Sequence, residues 1–190
     1  MLKVTKSTLV LFGLLTIITG VIYPLFVTII AQVVFPHQAN GSLIVVEDRV
    51  VGSELIGQPF DDLKYFWSRP SATGGMPYNA AASSGSNLAP SNPSLVPALT
   101  DRIRVISSIE PPSSRKIPID LITSSGSGLD PHISIEAARY QMGRVAQARR
   151  IDEKVIEALI VRYTESRQWG FLGESRVNVL KINLALDEIQ

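Results

Sequence analysis

The run LVLFGLLTIITGVIYPLFVTIIAQVVF, Leu9 to Phe35, decides how the rest of the chain must be read. It lies inside an uncharged stretch from Ser7 to Ile44 and follows Lys3 and Lys6. An α-helix rises about 1.5 Å per residue and a hydrocarbon core is about 30 Å thick, so about 20 apolar residues suffice to cross it. This run exceeds that length without a single Asp, Glu, Lys or Arg. The cationic residues sit on the short N-terminal side, which by the positive-inside bias stays in the cytoplasm. The organisation expected is a cytoplasmic N-terminus 1–6, a transmembrane helix 7–35 and an extracytoplasmic domain 36–190. A cleaved secretory signal also begins with lysines and an apolar run, but its apolar region spans about 7 to 15 residues and ends at small residues. Here the end is Gln32-Val33-Val34-Phe35-Pro36. Tyr23 and Pro24 fall well inside the span, where a proline removes one backbone hydrogen bond and kinks the helix.

What remains of the 190 residues is enough for one modest domain with its own core. The chain has no cysteine, which excludes disulfides, thiol nucleophiles and zinc–thiolate sites. Its formal net charge is +1, and setting aside Lys3 and Lys6 leaves the exported part near −1. Such a balance does not fit nucleic acid, which demands a dominant basic face. Arg139, Arg144, Arg149, Arg150 and Lys154 form one local basic cluster. It reads as a solvated helix face or, alternatively, as a dock for an acidic partner patch or anionic lipid headgroups.

Beyond the span, Leu43–Val46 and Arg49–Ser53 read as a hairpin turning at Glu47-Asp48. Tyr65-Phe66-Trp67-Ser68-Arg69 reads as a strand stopped by Pro70. Residues 70–93, rich in Ser, Gly, Asn, Ala and Pro, read as a long surface loop, a feature that is usually functional or mobile. Asn92-Pro93 signals a helix start, followed by Leu95, Leu99, Ile103 and Ile106 at helical spacing and an end near Glu110 and Pro111. Ile117 to Thr123 reads as an edge strand, and Ser124 to Ile133 as a turn that leaves His132 near the next helix start. Ser134 then caps a helix to about Arg149, Asp152 caps another carrying Val155, Ile156, Leu159, Ile160 and Tyr163, and Arg176 to Ile182 is a final extended segment before a short terminal helix. The fold class expected is a mixed α/β (α+β) domain on one N-terminal transmembrane helix.

Catalytic signatures are sparse. No Gly-Lys dipeptide exists, so a Walker phosphate loop is excluded, and Gly126-x-Gly128 lacks the third glycine of a dinucleotide fingerprint. A Ser-His-Asp triad would have to use His132 with Asp130, since the other histidine, His37, sits at the membrane edge. A membrane-anchored hydrolase using Asp130 and His132 is thus a remote alternative. Ser113-Ser114-Arg115-Lys116 matches Ser-x-x-Lys only formally, because Pro111-Pro112 places it in a loop. Two distant histidines without cysteine do not make a usual zinc site. The span has no intramembrane ionisable group, the usual mark of an ion path. Gly13, Thr16, Gly20 and Pro24 recur at spacings of three and four, and Thr16-x-x-x-Gly20 lets another helix approach closely.

Several longer motifs carry a resemblance that covers nearly the whole chain. They are Gln38-Ala39-Asn40-Gly41-Ser42-Leu43, Gly52-Ser53-Glu54-Leu55-Ile56-Gly57-Gln58, Phe66-Trp67-Ser68-Arg69-Pro70-Ser71 and Pro77-Tyr78-Asn79. To these belong Ser84-Gly85-Ser86-Asn87-Leu88-Ala89, Ser127 to Ser134, Arg144-Val145-Ala146, Val177-Asn178-Val179-Leu180 and Asn183-Leu184-Ala185-Leu186-Asp187. In these the chain resembles the small C subunit of the Kdp potassium-transporting P-type ATPase of bacteria. Ile135 stands where the family pattern leads one to expect proline.

The resemblance implies a bacterial inner-membrane accessory subunit, not an enzyme on its own. It implies two partners, a channel-like A subunit that carries potassium selectivity and a P-type B subunit that hydrolyses ATP. It also implies a catalytic-chaperone alternative, in which the C subunit raises the B subunit's ATP affinity through a ternary complex. No cofactor is expected on the chain itself, and ATP only through the partner subunit. Gly13, Thr16 and Gly20 on the helix, with Arg69, Asn87, Asp130 and His132 in the domain, are the candidate partner contacts. The segments Pro70 to Pro93 and Ser124 to Ser134 are the candidate contact surfaces.

Overall fold

The computed structural model describes residues 2–110 and 115–189 and divides into two units, Met1–Val51 and Gly52–Gln190. The Ser113 and Ser114 positions of the Ser-x-x-Lys match lie outside the described residues.

The first unit is dominated by a helix long and apolar enough to cross a membrane, Lys3–Val34. It consists of α1 (Leu2–Ile17), a π turn (Ile18–Ile22) and α2 (Tyr23–Val34). The expected proline kink takes this form because Pro24 has no N–H to give and its ring crowds the preceding turn, which widens until Tyr23 N–H reaches Ile18 O. Thr8, Thr16 and Thr19 return their hydroxyls to the carbonyls of Val4, Phe12 and Leu15, so these polar groups are satisfied within the helix. A short turn, α3 (Pro36–Ala39), follows, and then the hairpin of β1 (Leu43–Val46) and β2 (Arg49–Ser53). Glu47 and Asp48 both have positive φ, 49° and 61°, the backbone that a two-residue hairpin turn requires.

The second unit sets helices against a three-stranded antiparallel sheet of order β3-β5-β4. Its elements are α4 (Leu95–Ile109), α5 (Ile119–Ile122), β3 (His132–Ser134), α6 (Ile135–Arg149), α7 (Glu153–Arg162), β4 (Thr164–Glu165), β5 (Arg176–Asn178) and α8 (Val179–Asp187). Ile133 pairs with Val177, and both turn inward onto Ala137, Val145, Ile156, Ile160 and Ile182. His132, Ser134, Asn178, Arg176 and Glu165 occupy the opposite face, because directly paired residues share a side of the pleat. Helix starts are fixed by side chains at strand ends: Ser134 Oγ accepts from Ala137 N–H and Asn178 Oδ1 from Lys181 N–H. Asp152 caps α7 through Lys154 N–H.

Several sequence expectations need correction, among them the final extended segment, which ends at Asn178 because Val179–Ile182 already belong to α8. Residues 65–69 form no strand. The amides of two helix side chains replace a neighbouring strand: Asn183 receives Phe66 N–H at 2.8 Å and gives Nδ2 to Phe66 O at 2.9 Å, and Gln141 does the same for Trp67 at 2.8 and 3.2 Å. Ile117–Thr123 is not an edge strand but contains α5, because Pro118, fixed at φ −59°, leads a helical turn in which Pro118 O accepts from Leu121 N–H. His132 and Ile133, expected at the end of the Ser124–Ile133 turn, form the start of β3, and α6 begins three residues after His132. Helix α4 begins at Leu95, two residues later than Asn92-Pro93 suggested, since Asn92 Oδ1 caps a preceding turn through Ser94 N–H.

The basic cluster divides: Arg139, Arg150 and Lys154 are exposed, as a solvated face requires, whereas Arg144 and Arg149 turn into the domain. Arg144 is 3 % exposed on its side chain and bonds Glu110 at 2.7 Å, Gln141 at 2.7 Å and the carbonyls of Leu63 and Tyr65. Arg149 binds Lys64 O, Leu186 O and Asp187, and Arg139 pairs with Glu157. Arg150 takes a left-handed conformation and ends α6, so no continuous helix reaches Lys154.

Candidate functional site

The two sequence segments expected as contact surfaces lie against each other. Ser71 Oγ donates to Gly128 O at 2.7 Å, Ser84 N–H to Ser127 O at 3.0 Å and Ser83 Oγ to Ser127 O at 3.0 Å. Loop 70–93 is therefore stitched to the 124–131 turn rather than hanging free. Its inner folds are held the same way, with Ser71 Oγ accepting from Tyr78 N–H and Thr73 Oγ1 from Asn79 N–H. Gly128 sits at φ +67°, and a Cβ there would stand 2.5 Å from Ser84 O, so the seam admits only glycine.

At the edge of this surface runs a line of ionisable side chains. Arg69 Nη1 reaches Asp130 Oδ2 at 3.1 Å, and Asp130 Oδ1 accepts from His132 N–H at 3.0 Å and faces His132 Nδ1 at 3.4 Å. His132 Nε2 faces Glu165 Oε2 at 3.3 Å. Glu165 is met by Arg176 at 3.2 Å and more loosely by Lys181 at 3.9 Å, and Lys181 continues to Glu54 at 2.6 Å. Burial pushes the Asp130 carboxyl up, but the hydrogen bonds from His132 and the Arg69 charge together outweigh it and hold Asp130 below its ordinary range. Tyr78, whose hydroxyl donates to Arg69 O, is raised chiefly by burial. A cleft of about 420 Å³ opens beside this line, with Arg69, Asp120, Asp130, His132, Glu136 and Arg176 among its walls.

The chemistry available here is structural cross-linking. Both His132 ring nitrogens lie against carboxylates, so neither is presented to a serine hydroxyl, and Asp130 with His132 does not form the base-and-orienter geometry of a triad. Of the residues singled out in the sequence, Arg69, Asp130 and His132 come together. Asn87 stands elsewhere on the loop, exposed at φ 51°. Gly13, Thr16 and Gly20 lie on the apolar helix, where nothing lies within 4 Å of a Cβ built on either glycine. Sequence reading missed Glu165, Arg176, Lys181 and Glu54. The alternation across Thr164-Glu165 and Arg176-Val177-Asn178 was the available signal, but segments of two and three residues are too short to register as strands.

Fold and site together define a small α/β domain carried on one apolar N-terminal helix and braced by internal ion pairs. A sequence model of the family described as KdpC, the c chain of a K+-transporting ATPase, matches residues 5–188. A Methylococcus capsulatus protein named Potassium-transporting ATPase KdpC subunit is 56 % identical over 185 residues, 97 % of each chain. Proteins of the same name from Dechloromonas aromatica and Polynucleobacter asymbioticus are 57 % identical over 179 residues, 94 % of each chain, and 54 % identical over 187 residues, 98 % of this chain and 99 % of the relative. The chain belongs to the KdpC family, the c-chain subunits of the K+-transporting ATPase.

Proposed function

We propose that this chain is a non-catalytic accessory subunit of an ATP-driven potassium uptake complex. It stabilises the assembly and supports coupling between an ATP-hydrolysing B subunit and a channel-like A subunit. Residues 1–6 lie in the cytoplasm, 7–35 cross the inner membrane and 36–190 face outward. The observation that carries this reading is the helix. Lys3–Val34 is apolar and exposed on every side, so it calls for lipid and a protein neighbour, and Gly13, Thr16 and Gly20 give that neighbour room. The domain fits the same role. Its Arg144, Arg149 and Arg69 are committed to internal partners, and its stitched surface of loop 70–93 and turn 124–131 is pre-formed for docking on the outer side of the channel-like subunit.

The test is topology. The chain has no cysteine, so single cysteines at the exposed Ser86 and Ser166 report alone. Labelling by a membrane-impermeant thiol reagent in intact cells is the expected result. Labelling only after permeabilisation would place the domain with cytoplasmic ATP and favour the catalytic-chaperone reading in its stead.

A further inference from the structure

The connection between β4 and β5 is a hairpin tip with an unusual display. Trp169 is 84 % exposed and Phe171 68 %, whereas every other aromatic residue of the second unit is buried or half-buried. The display is built into the backbone. Gln168 and Leu172 bridge in both directions at 2.9 Å, and the turn passes through positive φ at Trp169 (52°) and Gly170 (81°), which throws the two rings outward 6.5 Å apart. At its base Arg167 and Glu174 neutralise each other at 2.5 Å, so the finger carries no net charge.

We infer that this finger enters the headgroup region of the lipid bilayer in which the chain's own helix is anchored, an inference that rests on the anchor reading above. Three features favour lipid over a protein pocket. The finger is convex, capped by Trp, Phe and Leu172, the side chains that settle at a membrane–water interface. Its single cation is already paired, so entry leaves no free charge among the lipids. The residues between helix and domain, 35–51, reach on the order of 60 Å even fully extended, so the bilayer is present at high effective concentration. Contact by two aromatic rings is then sufficient without affinity of its own.

The test uses the full chain reconstituted in phosphatidylcholine vesicles, with or without bromine on the upper acyl carbons. Bromolipid should quench wild-type tryptophan fluorescence at least twofold more than that of Trp169→Phe, which retains Trp67, a ring held between Arg102 and Arg144 inside the domain. Equal quenching in the two proteins overturns the inference. So does a photocrosslinker at position 169 that, in the assembled complex, yields only protein adducts and no lipid adduct. Retention in floated vesicles after alkaline carbonate reports the anchor separately. A chain released by carbonate sinks the anchor reading and this inference with it, and a chain retained but unquenched sinks the finger alone.

Discussion

Arg144 and Arg69 are both arginines held against a carboxylate, yet the first is sealed in the domain and the second, 25 % exposed on its side chain, lies along a cleft. Around Arg144 the ion pair with Glu110 is nearly dry, and Glu110 Oε2 has no hydrogen-bond partner among the described residues. Burial pushes Glu110 above its ordinary range even though Arg144 pulls it back. Around Asp130 the balance is reversed: donors and the Arg69 charge outweigh burial and hold the carboxyl low. The same pairing thus braces a core in one place and tunes a partly wet surface in the other. Water access decides which.

Cutting the dry cluster sharpens the contrast most. Arg144→Ala strands Glu110 and releases the carbonyls of Leu63 and Tyr65, and should cost about 3 to 5 kcal/mol in denaturant unfolding of the solubilised chain. A loss under 1 kcal/mol would contradict the sealed pair. Asn183→Ala should come next. It leaves Phe66 N–H and C=O unpaired in the core, a loss of about 2 to 3 kcal/mol with parallel loss of amide protection at Phe66 in hydrogen exchange. Ser134→Ala removes the α6 cap and should cost about 1 kcal/mol.

The wet cluster answers to pH. Because folded Asp130 titrates below its unfolded range, the unfolded chain binds more protons between the two values, and stability rises with pH across that window. The contribution is complete above the ordinary aspartate range near pH 4 and fades as pH falls below it. Asp130→Asn should therefore be weaker than wild type at pH 7 and converge with it as pH falls below the ordinary aspartate range, read as unfolding midpoints. A gap that stays constant with pH would break the comparison. Smallest of all, Arg139→Ala removes only an exposed pair with Glu157 and should leave the midpoint unchanged within error.

Local chemistry was legible in the sequence wherever it decided the structure. The apolar helix, the Glu47-Asp48 turn and the caps at Ser134 and Asp152 all follow from residues within four positions of one another. The misread segments depend on distant partners. Tyr65–Arg69 has the composition of a strand, but its hydrogen bonds come from side chains 74 and 117 residues away, and no local pattern announces a carboxamide standing in for a strand. The arginines of α6 misled for the same reason, since Glu110, Leu63 and Asp187 approach them only in the fold. Of the site, Arg69, Asp130 and His132 were singled out in advance. The half contributed by Glu165, Arg176 and Lys181 depended on strands of two or three residues.

The π turn at Ile18–Ile22 bears on how the helix can meet a neighbour. Each residue of an α-helix turns the next by about 100°, so a turn with one extra residue shifts the phase of everything beyond it by about that much. Gly13 and Thr16 lie before the shift, Gly20 within it and Pro24 after it, so it is Pro24 that leaves the stripe a straight projection draws through all four. The helix is in effect two rods joined at a fixed rotational offset, which present different faces from the N-terminal and C-terminal halves. Deleting a single residue from 18–22 would remove the offset and rotate the C-terminal half of the helix against its N-terminal half.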